Sequence, residues 1–200
     1  GHKHIWEDEN NGYLRHKIDS WAESKTYKLA CDVLKEEGLE WSKPCTQGKL
    51  EKQVEFSGGQ FGCAISHYRC IKEAYARGDE YVWILEDDAK PHQCFTKVAH
   101  ELWENTPHDF DIVYFNISTD YPDVYCRNAN CKVVYTSKID DRCRVLRTAS
   151  FGQQCYIVSR EGMRKYLDYV KANGLYVIDI DLVQMTDKGL ITCYQYHTSE

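Results

Sequence analysis

No stretch of this 200-residue sequence approaches the roughly 20 consecutive apolar residues that cross a bilayer, so no membrane-spanning helix is expected. A basic stripe is also missing. With 25 Lys and Arg against 31 Asp and Glu, the net charge is -6, which speaks against a nucleic-acid partner. The acidic runs, such as Glu7-Asp8-Glu9, read as solvated surface. None of the ten cysteines forms a C-x-x-C pair, so a zinc ribbon or a thioredoxin-type site is not expected. Low-complexity tracts, internal repeats and linkers are absent too, and the length fits one domain. The first residues show no signal-peptide pattern. Gly1-His2 reads as a cloning remnant, so a native signal could have been removed, and the compartment stays open between cytoplasm and secretory lumen.

What is present begins with the cysteines. Cys63, Cys70, Cys155 and Cys193 lie in apolar contexts that suit small buried hydrophobes. Cys126 and Cys131 flank a polar turn, where a loop disulfide is feasible in an oxidising compartment.

Residues 1–24 are polar and without period, an irregular lead-in segment; residues 25–200 read as a single domain. Helical spacing of apolar residues predicts helices over about 25–37, 62–77 and 94–103, with Gly38 and Gly78 as stops to the first two. Ser159 is placed to cap a fourth helix running to about Asn173, closed by Gly174. Strands are expected at 81–85, 111–116, 133–135, 145–146, 154–158 and 191–196, with a short one at 39–41. The piece 81–85 is apolar throughout rather than alternating, the pattern of a strand covered on both faces. Together these elements predict an α/β fold around a mostly parallel sheet.

That strand runs directly into Glu86-Asp87-Asp88. Ligands of open α/β sheets bind at the carboxyl ends of strands. Three adjacent carboxylates repel one another and are tolerated when solvated or when a cation neutralises them. A hard divalent cation bridging a diphosphate suits this arrangement; so does a plain acidic turn.

The segments Gly62-Cys63-Ala64-Ile65-Ser66-His67 and Ile84-Leu85-Glu86-Asp87-Asp88-Ala89 resemble glycosyltransferase family 25, the group of bacterial lipopolysaccharide glycosyltransferases and procollagen galactosyltransferases. Further pieces resemble it in order: Asp109–Val113, Gln154–Gly162 with its Ser159-x-x-Gly162, and Ile178-Asp179-Ile180-Asp181. The family's usual opening, an apolar strand with an Arg-rich turn, is matched only by His4-Ile5-Trp6 and Arg15.

The resemblance implies a GT-A-like, Rossmann-related domain that inverts the transferred sugar. The implied donor is a UDP-sugar carrying galactose or glucose, the acceptor a glycan or protein hydroxyl, and the metal Mn²⁺ or Mg²⁺. Glu86, Asp87 and Asp88 would form the metal-diphosphate element, with Asp88 on the metal and Glu86 on the ribose or a metal-bound water. His197 is either a further metal ligand or a surface histidine. Inversion needs one general base. Asp179 and Asp181, on one face if this piece is a strand, are the candidates, Asp179 ahead because Asp181 could cap a helix; Asp120 is an outsider. Gly62, Ser66 and His67 near a helix amino end could contact a donor phosphate or brace the helix. Tyr121, Tyr125, Tyr135 and Phe151 could stack on sugar or base.

Two other functions fit less well. One is a degenerate member that binds sugar nucleotide or glycan without turnover. The other is a metal-dependent phosphohydrolase, against which stands the lack of a second metal cluster such as H-x-D or N-H-E.

Overall fold

The structure, a computed structural model, describes residues 25–40, 58–87, 89, 95–115, 132–148 and 153–198. The chain order is α1 (Lys25–Glu36), α2 (Gly58–Arg77), β1 (Tyr81–Leu85), α3 (Phe95–Glu104), β2 (Ile112–Tyr114), β3 (Lys132–Thr136), β4 (Cys143–Arg147), β5 (Cys155–Ser159), α4 (Arg160–Asn173), α5 (Ile178–Asp187) and β6 (Cys193–Thr198).

The helices form where apolar residues recur every three or four positions. In α2, Phe61, Ala64, Ile65, Tyr68, Ile71 and Ala74 make one buried stripe. The expected caps are in place around α4. Ser159 Oγ accepts from the Gly162 N–H, and Gly174, at φ 84°, closes the last turn with its N–H on Val170 O. Gly162 is fixed by packing: an added Cβ would press into the backbone carbonyl of Asp111, with Val158 Cγ1 at 3.1 Å. The first turn of α4 therefore lies directly on the start of β2.

The six strands form one sheet in the order β1-β5-β2-β6-β4-β3. Among the described residues only β2 and β6 pair in parallel, and every other neighbouring pair is antiparallel. The expectation of a mostly parallel sheet is thus corrected. β1, β2 and β6 do point the same way, but β5 inserts between β1 and β2 in the opposite sense. The short turn at 137–142 also forces β3 and β4 to pair antiparallel. An apolar run reports burial, not the direction of the neighbouring strand.

β1 is corrected in a second way. It is an edge strand among the described residues, and its burial does alternate: Ile84 is buried, while Tyr81, Trp83 and Leu85 are half exposed. Aromatic side chains on the second face account for its apolar look. Trp83 lies against Phe115, with ring centroids 5.7 Å apart, and its indole N–H donates to Cys155 Sγ at 3.2 Å. The expected short strand at 39–41 is also absent at Leu39 and Glu40, although Glu40 O accepts from Leu175 N at 2.9 Å; Trp41 lies outside the described residues.

Two cores flank the sheet. On one face α1, α2, α4 and α5 bury Ile84, Ile112, Tyr114, Tyr156, Val158 and Cys193. On the other, α3 packs Val98 and Leu102 over Val113, Val145, Tyr194 and Tyr196. A buried carboxylate, Asp111, ties three elements together. It accepts from Lys165 Nζ of α4 at 2.8 and 3.0 Å and from the Thr192 N–H ahead of β6 at 2.8 Å. No helix among the described residues is long and apolar enough to cross a membrane.

Candidate active site

The carboxyl ends of β1, β2 and β6 share one edge of the sheet. At β1 the ladder continues one step past the strand, because Glu86 N donates to Gln154 O at 2.8 Å. Side-chain alternation then puts Glu86 on the face of Ile84, toward α2, while Asp87 turns into solvent. Ala89 N closes the turn on Glu86 O at 3.1 Å. Asp88 lies outside the described residues.

Across from Glu86, α2 presents Cys63 and His67, one helical turn apart and therefore on the same face. His67 is buried. Its Nε2 meets Glu86 Oε1 at 3.0 Å and its Nδ1 meets the Tyr156 hydroxyl at 2.7 Å. Burial pushes its pKa below the ordinary value, against the pull of Glu86. A neutral ring has one donor and one acceptor nitrogen. With Glu86 a carboxylate, Nε2–H must donate to it, so Nδ1 accepts from the Tyr156 O–H. The fully buried Tyr156, whose own pKa burial drives well up, keeps the proton this requires. Cys63 S–H donates to the same Oε1 at 3.5 Å, and burial followed by the Glu86 charge pushes the thiol up to about 11. Glu86 Oε1 is therefore held by two donors anchored in the core.

The first turn of α5 brings two more carboxylates to this side. Residues 178–187 are helical, so the expectation that Asp179 and Asp181 share one face of a strand is corrected: on a helix, positions two apart diverge. Asp179 is half-buried, its Oδ1 accepts from Ile180 N at 2.8 Å, and its charge reaches the Cys63 thiol. Asp181 turns into the core at 2% exposure, and its Oδ2 has no hydrogen-bond partner. Burial pushes it up to about 7, opposed by the Tyr176 backbone N–H and the Lys188 charge. The buried Tyr166 hydroxyl, likewise without a partner, feels the Asp181 charge. Nor does Asp181 cap a helix, because α5 starts at Ile178, with Val177 before it.

His197 stands at the same edge and on the same face as Glu86, three strand positions away, or about 14 Å along the sheet. Both its ring nitrogens are buried without a hydrogen-bond partner, and burial, with the Arg144 charge beside it, pushes its pKa down.

The placement of Gly62, Ser66 and His67 near a helix amino end is corrected. α2 starts at Gly58, which puts Ser66 and His67 more than two turns inside, beyond the first four N–H groups free to hold an anion. Ser66 is exposed, and a Cβ added at Gly62 would meet nothing within 4 Å. Tyr135 is committed to structure, donating its hydroxyl to Glu101 Oε1 at 2.8 Å. Asp120, Tyr121, Tyr125, Cys126, Cys131 and Phe151 lie outside the described residues, as does the lead-in 1–24. Two participants go beyond the sequence expectations. Cys63, expected as a small buried hydrophobe, is a hydrogen-bonding neighbour of Glu86, and its i, i+4 spacing to His67 was the available signal. Tyr156 carried no signal of its own.

An acidic element thus leaves β1 at the carboxyl edge of the sheet, with its first carboxylate held by donors from α2. The family model for glycosyltransferase family 25 (LPS biosynthesis protein) matches residues 30–183, and the chain belongs to that family. Procollagen galactosyltransferase 1-B of Xenopus laevis is 28% identical over 148 residues, covering 70% of this chain. The matched part is 22% of the length of that relative.

Proposed function

We propose that this chain transfers a hexose, galactose or glucose, from a UDP-sugar to a hydroxyl of a glycan or protein, with inversion and with the help of Mn²⁺ or Mg²⁺. Family membership and the galactosyltransferase relative support the reaction class. A GT-A-like fold is supported by three co-directional strands, β1, β2 and β6, whose carboxyl ends share the edge bearing Glu86 and His197.

The observation that carries the metal reading is the orphaned imidazole of His197. A buried polar group without a partner costs about 1–3 kcal/mol, so one maintained at the ligand edge calls for a further group. His197 and Asp88 would be the ligands of a divalent cation, which would satisfy that ring. When bound, that ion offsets the charge that develops on the departing diphosphate.

The chain's own residues do the rest. Cys63 and His67 hold Glu86 in one direction through Oε1, leaving its other oxygen for the ribose or for a water on the metal. Asp179, at the first turn of α5, takes the proton of the acceptor hydroxyl. Asp181, 2% exposed, is too deeply buried to reach an acceptor.

UDP release with UDP-galactose and UDP-glucose, over a panel of glycan and protein-hydroxyl acceptors, tests this function. Release should require Mn²⁺ and fall at least a hundredfold in Asp88→Ala and in His197→Ala. Full activity in EDTA, or in Asp88→Ala, would remove the metal from the mechanism. Binding of UDP-sugar in calorimetry without transfer to any acceptor would favour a non-catalytic sugar-nucleotide binder.

A further inference from the structure

We propose that Cys63, His67 and Glu86 form a second, distinct cation site, selective for borderline divalent ions of the zinc class rather than for Mn²⁺ or Mg²⁺. The donor set is one thiol sulfur, one imidazole nitrogen and one carboxylate oxygen, with all ligand atoms within 4.8 Å of one another. Sulfur and imidazole are ligands that zinc accepts and that hard cations leave for oxygen.

The spacing fits the geometry. With zinc bonds of 2.0–2.3 Å, tetrahedral ligands sit about 3.4 Å apart for nitrogen and oxygen and about 3.6 Å apart for sulfur and oxygen. The structure has His67 Nε2 to Glu86 Oε1 at 3.0 Å and Cys63 Sγ to Glu86 Oε1 at 3.5 Å. Those two separations lie within half an ångström of the tetrahedral values and all three ligand atoms lie within 4.8 Å of one another, so small rotations of the Cys63, His67 and Glu86 side chains admit the ion.

Two ligands come from adjacent turns of one helix, which fixes their separation. The third comes from a strand end packed against that helix, so the ion would clamp α2 to β1. The surroundings are also those of a metal-binding histidine. Such rings present their second nitrogen to a fixed oxygen, and His67 Nδ1 faces the buried Tyr156 hydroxyl at 2.7 Å.

Binding balances simply. The thiol proton leaves to solvent, and the imidazole stays neutral while its proton passes from Nε2 to Nδ1, where it donates to Tyr156. Thiolate and carboxylate together match the two charges of the cation. The fourth position is left to water.

Cobalt titration reads the site directly, because a thiolate bound to Co²⁺ gives a near-ultraviolet charge-transfer band and tetrahedral cobalt gives strong visible bands. The full chain should take up one such Co²⁺, displaced by equimolar Zn²⁺ and untouched by Mn²⁺. Cys63→Ser should abolish the charge-transfer band, and Asp88→Ala should leave it intact. That second variant separates this site from the metal proposed for transfer, so either can fail alone. Should Cys63→Ser fold poorly, the wild-type chain still answers: Zn²⁺ should slow alkylation at Cys63 at least tenfold in peptide mass spectrometry, and Mn²⁺ should not. Cobalt bands that persist in Cys63→Ser, or zinc protection confined to other cysteines, would overturn the proposal.

Discussion

Asp181 offers the sharpest quantitative test of the buried polar chemistry in this fold. Its carboxyl is 2% exposed, and burial, with Asp179 adding to it, lifts the pKa from an ordinary 3.8 to about 7. The folded protein therefore keeps the Asp181 proton up to about pH 7, whereas the unfolded chain gives it up near 3.8. Between those values the folded state binds more protons, so the stabilisation is complete below about pH 4 and is lost as the pH rises through about 7. At 1.36 kcal/mol per pKa unit, the full loss is about 4 kcal/mol. Asp181→Asn has nearly the shape of the protonated acid and never ionises. The variant should match the wild type near pH 4 and exceed it by about 4 kcal/mol at about pH 8, which for a chain of this size is a melting-temperature gain of roughly 10 °C. His67 and His197, both pushed down by burial, tilt stability the opposite way, because they must stay neutral to remain buried. Both proteins carry them, so they cancel in the difference. Urea melts of both proteins across this pH range measure it. A difference that does not change with pH, or an asparagine variant less stable at about pH 8, would refute a neutral, buried Asp181.

Tyr156→Phe removes the O–H that donates to His67 Nδ1 and leaves a buried nitrogen unsatisfied. It should cost about 1–3 kcal/mol in a urea melt and, by loosening His67 and Glu86, raise KM for the sugar nucleotide more than it lowers kcat. Gly162→Ala forces a methyl against the Asp111 carbonyl at the junction of α4 and β2. It should lower stability by about 1–3 kcal/mol in the same assay without altering substrate affinity. In Asp179→Asn the base proposed for the acceptor proton is lost, so kcat should fall by 10²–10⁴, about the contribution of a general base, with UDP-sugar binding by calorimetry unchanged.

The parts of the fold that repeat locally were legible in the sequence. The stripe from Ala64 to Ala74 and the Ser159 and Gly174 caps are decided by neighbours three or four residues away, and each formed as expected, although α2 starts four residues earlier than its expected start near 62. The sheet was less so. β5 arrives between β1 and β2 from about 40 residues downstream of β2, and nothing in the three to six residues of any strand encodes which partner it meets or in which sense. β1 misled for a related reason. An edge strand can be apolar on both sides when its outward residues, here Trp83, lie against an aromatic neighbour such as Phe115 instead of a covering helix.

The candidate site shows the same division between local and distant information. Glu86 was marked by the strand it terminates, but what holds it is spread over α2 and β5. Cys63 and Tyr156 come from sequence positions 23 before and 70 after it. Each looks like a core residue by itself, and in one sense is one: the phenol is fully buried and the thiol half-buried, and burial is what keeps them protonated and able to donate. A carboxylate at the ligand edge is thereby oriented by groups whose first duty is packing. The same logic separates Asp179 from Asp181. Two carboxylates two residues apart look equivalent in sequence, yet the turn of α5 leaves the first half-buried beside Cys63 and drives the second into a core that lifts it to about 7. Of the two, only Asp179 is open to proton exchange with an acceptor, which is why it is the proposed base, whereas Asp181 keeps its proton in the core up to about pH 7.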